Sequence, residues 1–369
     1  MKIRYTDRAM IQRFGLDLYE VSDTAGANLM RQGKAIPVTS FDNPLVDKNL
    51  REKEKRERPE SRKLVGKRPL VGWVQDTEVY GGAELSNEVV KRAGREFGYL
   101  FQTFTPSNFD KKALIACDFL VINNFFFFKP DQFHFILDLI FEYKKPYVKY
   151  EHDHREIIGA DSRIKLARLL FKHSFLNVFI SPFQERNHRE KLGDGIDPYY
   201  LLPPAIDTRK FRILEGIERD PKLVVNTCGR LYAQKGYYNV LQFIMGKKKL
   251  KFEIYTREHQ NIADAMKQLD NVKVFPLVEN EQLPEIYNRA TYTMHLPRAY
   301  EACGRTIAEG LLCGCKPIMN ENMGIKSFKV FHIEDEEWSR DKFRYFIEQG
   351  PYSFWKAIWY YYHGLDRLV

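Results

Sequence analysis

Between Pro69 and Asn320 the chain alternates between two hydrophobic periods, and it does so in two blocks. In the first block, short apolar runs such as "PLVGWVQD", "DFLVINN", "PYVKYEHD" and "LNVFISP" alternate with stretches of helical period. Examples of the latter are "GGAELSNEVVKRAGREFG", "PDQFHFILDLIFEYKK" and "RIKLARLLFKHS". Strands that alternate with helices specify a parallel sheet covered on both faces. The pattern breaks at 203–222, "PPAIDTRKFRILEGIERDPK", where prolines and charges interrupt it, and restarts from "LVVNTCGR" to "KPIMN". The expectation is two doubly wound α/β domains, at 69–206 and 207–333. Residues 334–369, rich in Trp and Tyr, are expected to be closing helices whose aromatic stripe serves packing rather than a cofactor. A length of 369 residues suits two domains and a small extra piece.

The extra piece precedes the alternation. Residues 1–45 read as a small module: "MKIRYTD" as a strand, then "SDTAGANLMRQGKAIPV" as a capped helix ending at Gly33 with a following strand. Residues 46–68 form a charged linker. Its segment 48–68 holds ten Lys or Arg against four Glu, so +6 of the net +9 lies there. A solvated linker is the plain reading, and an electrostatic contact to an acidic partner the functional one. No apolar run is long enough to cross a bilayer, and the first ten residues lack the apolar core of a signal peptide. Five cysteines without metal-type spacing read as reduced core residues. These features predict a soluble, cytoplasmic protein.

Doubly wound sheets bind ligands beyond the carboxyl ends of their strands. The informative loops are therefore those after Asp76, Asp153, Arg230 and Arg298. Neither G-x-G-x-x-G nor G-x-x-x-x-G-K-[ST] occurs, which leaves hydride transfer and P-loop chemistry unsupported. In "GRLYAQKG", Arg230 ends a strand and Lys235 precedes Gly236 at a helix start. A guanidinium and an ammonium beside a helix N-terminus suit a diphosphate, although two ordinary surface charges would give the same string. In "YEACGRTIAEGLLCGCKPI", Glu301 and Glu309 stand eight positions apart. Thr306 and Glu309 have capping-box spacing, which would explain Glu309 but neither Glu301 nor Gly304. Amides around Gly304, Arg305 and Thr306 can hold phosphate oxygens. Ionised carboxylates only accept hydrogen bonds, which suits Glu301 to sugar hydroxyls and Glu309 to a ribose diol.

Together these motifs resemble glycosyltransferase family 4, whose members are retaining enzymes of the GT-B fold. Glu301 and Glu309 match its E-x7-E pattern. Gly229 to Leu231 with Lys235 and Gly236 match its G-R-L…K-G pattern, and Gly81 to Glu84 its G-G-A-E turn. "VFISPFQERNHREKLG", "PPAIDTRKF" and "ENEQLPEIYNRATYTMHLPRAYEACG" resemble its connecting segments, so the similarity spans roughly 69–330. The resemblance implies two Rossmann-like domains facing a cleft, the first for the acceptor and the second for the nucleotide sugar. It implies hexosyl transfer from a UDP- or GDP-sugar with no metal or other cofactor required. Arg230 and Lys235 would hold the donor diphosphate, and Gly82, beside Gly81, would admit sugar and acceptor. His152 in "YEHDH" matches a histidine placed near the reacting sugar, with Asp153 and His154 on the acceptor side. The assigned catalytic set is His152, Glu301, Arg230 and Lys235.

Two departures limit the analogy. "FEIYTREHQ" lacks the glycine-rich turn that usually follows that strand, which puts the donor's sugar and base in question. Residues 1–68 have no counterpart in the family, and the N-terminal module resembles modules in bacteriophage reading frames. The acceptor is open between a saccharide, a protein and a modified DNA base. Front-face transfer and double displacement are both open. A non-catalytic sugar-nucleotide-binding scaffold in a phage or cell assembly is the alternative. An epimerase is disfavoured by the E-x7-E pattern. A phosphorylase is disfavoured because no lysine placed for pyridoxal phosphate is recognisable.

Overall fold

Each block of alternating period folds into one parallel sheet. The structure, a computed structural model, describes residues 2–5, 18–20, 35–37 and 68–365, apart from 77–80, 126, 159–160, 329 and 331–338. At the N-terminus, β1 (Lys2–Tyr5), β2 (Leu18–Glu20) and β3 (Ala35–Pro37) form a three-stranded antiparallel sheet in the order β2-β1-β3. The strands expected at "MKIRYTD" and after Gly33 are present. The helix expected between them, and the linker up to residue 67, lie outside the described residues.

The remaining chain divides into two units. The first takes residues up to 179, 185–202 and those from 350, and the second takes 180–184 and 203–349. The first unit contains β4 (Leu70–Val74), α1 (Gly82–Glu96), β5 (Leu100–Phe104), α2 (Lys111–Ala116) and β6 (Phe119–Ile122). It continues through α3 (Pro130–Phe141), β7 (Tyr147–Glu151), α4 (Asp161–His173), β8 (Leu176–Phe179), α5 (Pro182–Leu192) and β9 (Tyr199–Leu201). Its sheet runs β5-β4-β6-β7-β8-β9, every pair parallel. Two of these elements are easily missed in sequence. The helix α2 has barely more than one turn, started by Asp110, whose carboxylate accepts from the amides of Lys112 and Ala113. The strand β9 has three residues of mixed polarity at the sheet edge.

The core of this sheet is apolar on both faces, which is why β6 and β8 are buried at every position. Each such Val, Leu, Ile or Phe contributes roughly 1.5–3 kcal/mol by leaving water. The C-terminal aromatic stripe lies on one helix, α10 (Arg340–Leu365). Trp355 is fully buried, packs tilted against Tyr99 with ring centroids 4.6 Å apart, and donates its indole N–H to the Val90 carbonyl at 2.7 Å. The absence of a side chain at Gly94 admits the indole, since a Cβ there would lie 2.6 Å from it. The stripe is therefore packing, as expected.

The second unit contains β10 (Asp220–Gly229), α6 (Tyr237–Gly246), β11 (Lys251–Thr256), α7 (His259–Met266), β12 (Val272–Pro276) and α8 (Leu283–Arg289). It ends with β13 (Ala290–His295), α9 (Arg305–Leu312) and β14 (Lys316–Met319). The order is β12-β11-β10-β13-β14, again wholly parallel. The central neighbours β10 and β13 are distant in sequence, so the loops after Gly229 and after His295 emerge side by side.

Candidate functional site

In the second unit the site begins at that pair of loops. Gly236 caps α6 with φ +95°, and a Cβ there would fall 1.9 Å from the Leu296 carbonyl oxygen. Only glycine allows the 230–236 loop to rest against the backbone leaving β13. The amides of Arg298 and Ala299 both donate to the Gln234 carbonyl at 3.0 Å, and Asn239 donates to the Leu296 carbonyl at 2.9 Å. On the other side, the Leu231 amide donates to Thr256 Oγ1 at 3.0 Å and Glu258 Oε2 at 3.1 Å. The loop carrying Arg230 and Lys235 is thus clamped between β11 and β13.

This clamp aims Lys235 at Glu301. Lys235 Nζ lies 2.5 Å from Glu301 Oε2, and His295 Nε2 lies 3.5 Å from the same oxygen. His295 is buried at the end of β13, and its Nδ1 has no hydrogen-bond partner among the described residues. Glu301 is pinned through its backbone: its amide donates to Asn322, and its carbonyl accepts from Gly324. Burial opposes ionisation of Glu301, but the His295 hydrogen bond and the Lys235 ammonium outweigh it and hold the carboxyl far below the usual range. Burial likewise opposes the Lys235 charge, and the Glu301 carboxylate overrides it and raises the ammonium pKa. Arg230 is exposed, and its guanidinium makes no hydrogen bond or ion pair among the described residues.

The start of α9 does not follow the capping-box alternative for T-x-x-E. Gly304 is the N-cap, with φ +95°, and a Cβ there would lie 2.1 Å from Met323 Cε. Thr306 is then the second helical residue and Glu309 the fifth, too far into the helix to close a capping box. Glu309 is 2% exposed. Its Oε1 accepts from Arg305 Nε at 2.6 Å, and its Oε2 lies 3.5 Å from the Tyr287 hydroxyl. Burial pushes the Glu309 carboxyl up, against the pull of Arg305. Arg305 is also tied to the Ala205 carbonyl at 2.8 Å, so this arginine organises Glu309 and the 203–206 segment. In the first turn of α9 the Ile307 amide donates to the Gly304 carbonyl at 3.1 Å, and the amides of Arg305 and Thr306 come too early in the helix to have an acceptor within it.

In the first unit, the carboxyl edge of the sheet carries the other predicted residues. His152 Nε2 lies 2.9 Å from the Oδ1 atoms of both Asn87 and Asn123. The two amide groups are oriented by donating to Gln75 and Val74, so His152 must donate from Nε2. Beneath it, Lys149, Glu151 and Glu156 form a buried cluster, with Lys149 Nζ 3.0 Å from Glu151 and 2.8 Å from Glu156. Burial and the Glu151 charge push Glu156 well up, while Glu151 is held down, against burial, by Lys149. Glu151 Oε1 accepts from the amides of His152 and Asp153 at 3.1 Å each, fixing the backbone that presents the histidine. Asp153 pairs with Arg155, and burial raises its carboxyl pKa. The buried His154 accepts from Asn187 at 3.1 Å through Nε2. Gly81 caps α1, its amide donating to Glu84 Oε2 at 3.0 Å, and Gly82 opens the helix.

Sequence reasoning missed His295, Asn87 and Asn123. Two of these sit where an apolar run ends in a polar residue, "VINN" and "TMH", a weak signal for a strand's carboxyl end. Among the described residues no group of three or more His, Cys, Asp or Glu is gathered as a metal site. Nor is any described helix long and apolar enough to cross a membrane.

Compared by sequence, the chain matches no family model and no curated protein. Its fold, however, is similar to solved structures. Sucrose-phosphate synthase from Thermosynechococcus elongatus aligns with a TM-score of 0.59 at 14% identity, covering 82% of this chain and 99% of that one. HepE of Anabaena, solved in complex with UDP and glucose, gives 0.52 at 12%, covering 81% and 99%. An alpha-glucosyltransferase, solved with UDP and a 13-mer DNA containing an HMU base, gives 0.54 at 13%, covering 79% and 98%. With its two parallel-sheet Rossmann-like units, the chain has the GT-B fold of these glycosyltransferases.

Proposed function

We propose that the chain is a retaining glycosyltransferase of the family 4 type, moving a hexosyl group from a UDP- or GDP-sugar to an acceptor. The observation that carries this reading is the Lys235–Glu301–His295 cluster beside the Gly304 end of α9. HepE was solved with UDP and glucose, and the alpha-glucosyltransferase with UDP, which supports a nucleoside diphosphate as the ligand of this edge. In this reading residues 69–206 handle the acceptor and 207–333 the donor. Residues 334–369 close the fold, and 1–45 with the linker 46–68 serve a partner. The reaction needs no metal and takes place in the cytoplasm, that of the host if the gene is a phage's.

The chemistry follows from the charges. An ammonium has three donors, and one of Lys235's is given to Glu301. Two are left for phosphate oxygens, alongside the Arg230 fork and the first-turn amides of α9. As the bond from the anomeric carbon to phosphate oxygen breaks, negative charge grows on the diphosphate. Donors already in place stabilise it without reorganising. Glu301, held ionised, accepts from sugar hydroxyls. Glu309 offers the ribose diol the acceptor positions that Arg305 and Tyr287 leave open, out of about four on a carboxylate. His152 is assigned to the sugar, its Nε2–H fixed by Asn87 and Asn123.

The test is a thermal-shift panel of UDP-, GDP-, ADP- and TDP-sugars, followed by donor hydrolysis without acceptor. A stabilising donor that is also slowly hydrolysed supports the enzyme. A stabilising donor that is never turned over, with any acceptor, supports the scaffold instead. No stabilisation by any nucleotide refutes the donor site.

A further inference from the structure

The carboxyl edge of the first sheet holds two buried acceptor atoms that receive no hydrogen bond among the described residues. Asp76, which follows β4, is 7% exposed. Its Oδ1 accepts from the Phe127 amide at 2.9 Å, while its Oδ2 has no hydrogen bond among the described residues and makes a long ion pair with Arg155 Nη2, at 4.0 Å. Asn124, which follows β6, is also 7% exposed. Its amide nitrogen donates to Asp153 Oδ2 at 3.1 Å, which fixes the group's orientation and leaves Oδ1 without a hydrogen bond among the described residues. A buried acceptor left unpaired is costly, and natural structures hold few of them. Beside these atoms stands the opposite anomaly. Phe127 is 65% exposed, and the Arg155 guanidinium lies 6.0 Å from its ring centroid.

We propose that Asp76, Asn124 and Phe127 form the acceptor site, and that the acceptor is a saccharide. The inference rests on the glycosyltransferase reading and names the substrate class that reading leaves open. Unpaired acceptor oxygens call for a ligand that donates, and sugar hydroxyls donate. Phosphodiester oxygens only accept, so a nucleic-acid backbone would add acceptors where acceptors already lack partners. The cation at this edge is already committed, since Arg155 is paired with Asp153. An exposed ring flanked by hydrogen-bond acceptors matches the two aspects of a pyranose, an apolar C–H face and a rim of hydroxyls.

Binding can be read without donor, which separates this proposal from the nucleotide site. The full chain is titrated with methyl glucosides, maltose, cellobiose and chitobiose by saturation-transfer NMR. In parallel it is titrated with a hydroxymethyluracil-containing DNA 13-mer by anisotropy, and UDP binding is measured on its own. At least one saccharide should bind wild type. Phe127→Ala should weaken it about tenfold, the loss of one stacking surface, whereas Phe127→Trp should bind it within about twofold of wild type. Asp76→Asn should weaken the same sugar while leaving UDP affinity unaltered. The proposal is overturned if no saccharide binds, if Phe127→Ala binds sugar as wild type does, or if the variants lose DNA rather than sugar. Failure of UDP to bind would refute the glycosyltransferase reading, whatever the saccharide result.

Discussion

Replacing Lys235 by methionine keeps most of its volume and removes one charge. Lys235 Nζ is 2.5 Å from Glu301 Oε2, and its side chain is 36% exposed. An ammonium about 4 Å from a phosphate charge, at an effective dielectric near 20, is worth about 4 kcal/mol. The Glu301 carboxylate already cancels part of that field, so the net loss should be about 2–3 kcal/mol. That corresponds to a fall of about 30- to 160-fold in kcat/KM. The assay is steady-state release of nucleoside diphosphate from the best donor of the panel, with UDP affinity measured by calorimetry. The same variant has a pH signature. The folded Glu301 carboxyl lies below its unfolded value, so the pair's stabilisation is fully present above about pH 4.3. It declines as pH falls toward the folded value. With solvent screening of a pair this exposed, the urea-unfolding difference from wild type should be about 1 kcal/mol at pH 7 and shrink below pH 4. A variant within threefold of wild-type kcat/KM, binding UDP normally, would refute the diphosphate clamp.

Gly236→Ala should cost about 2–4 kcal/mol in urea unfolding, because φ is positive and the Leu296 carbonyl blocks the new carbon. Gly246→Ala, with open space around it, should stay within about 0.5 kcal/mol and serves as control. Glu309→Gln should weaken both bare nucleoside diphosphate and sugar donor, whereas Glu301→Gln should weaken the sugar donor more. Calorimetry with both ligands separates them, and normal nucleotide binding by Glu309→Gln would leave Glu309 a purely structural partner of Arg305. A chain beginning near Lys67 should fold and bind donor yet lose transfer to a large acceptor. The full-length protein should lose the same transfer steeply with salt if the basic linker acts by charge. Undiminished, salt-insensitive transfer by the shortened chain would show that residues 1–66 have no targeting role.

The sequence alone determined the α/β class and the two-sheet organisation, because hydrophobic period is a local property: apolar runs such as "DFLVINN" can satisfy burial on both faces only inside a covered sheet. It also marked the loops that matter, since Gly236 and Gly304 stand in motif loops at helix starts, although their positive φ came only with the structure. Their partners were beyond its reach. Lys235 meets Glu301 only because β10 and β13 are neighbours, and strand order follows from how whole helices cross the sheet, not from any short string. The same holds for His295, which enters the cluster from the end of β13, and for Asn87 and Asn123, which clamp His152 from α1 and the end of β6. Thr306 and Glu309 show the converse. Their spacing fits a capping box, but a box requires the helix to begin at Thr306. Gly304, turned left-handed against Met323, starts it earlier and leaves Glu309 buried against Arg305. Spacing fixes which residues can share a helical face. Only tertiary packing decides where the helix starts and what that face meets.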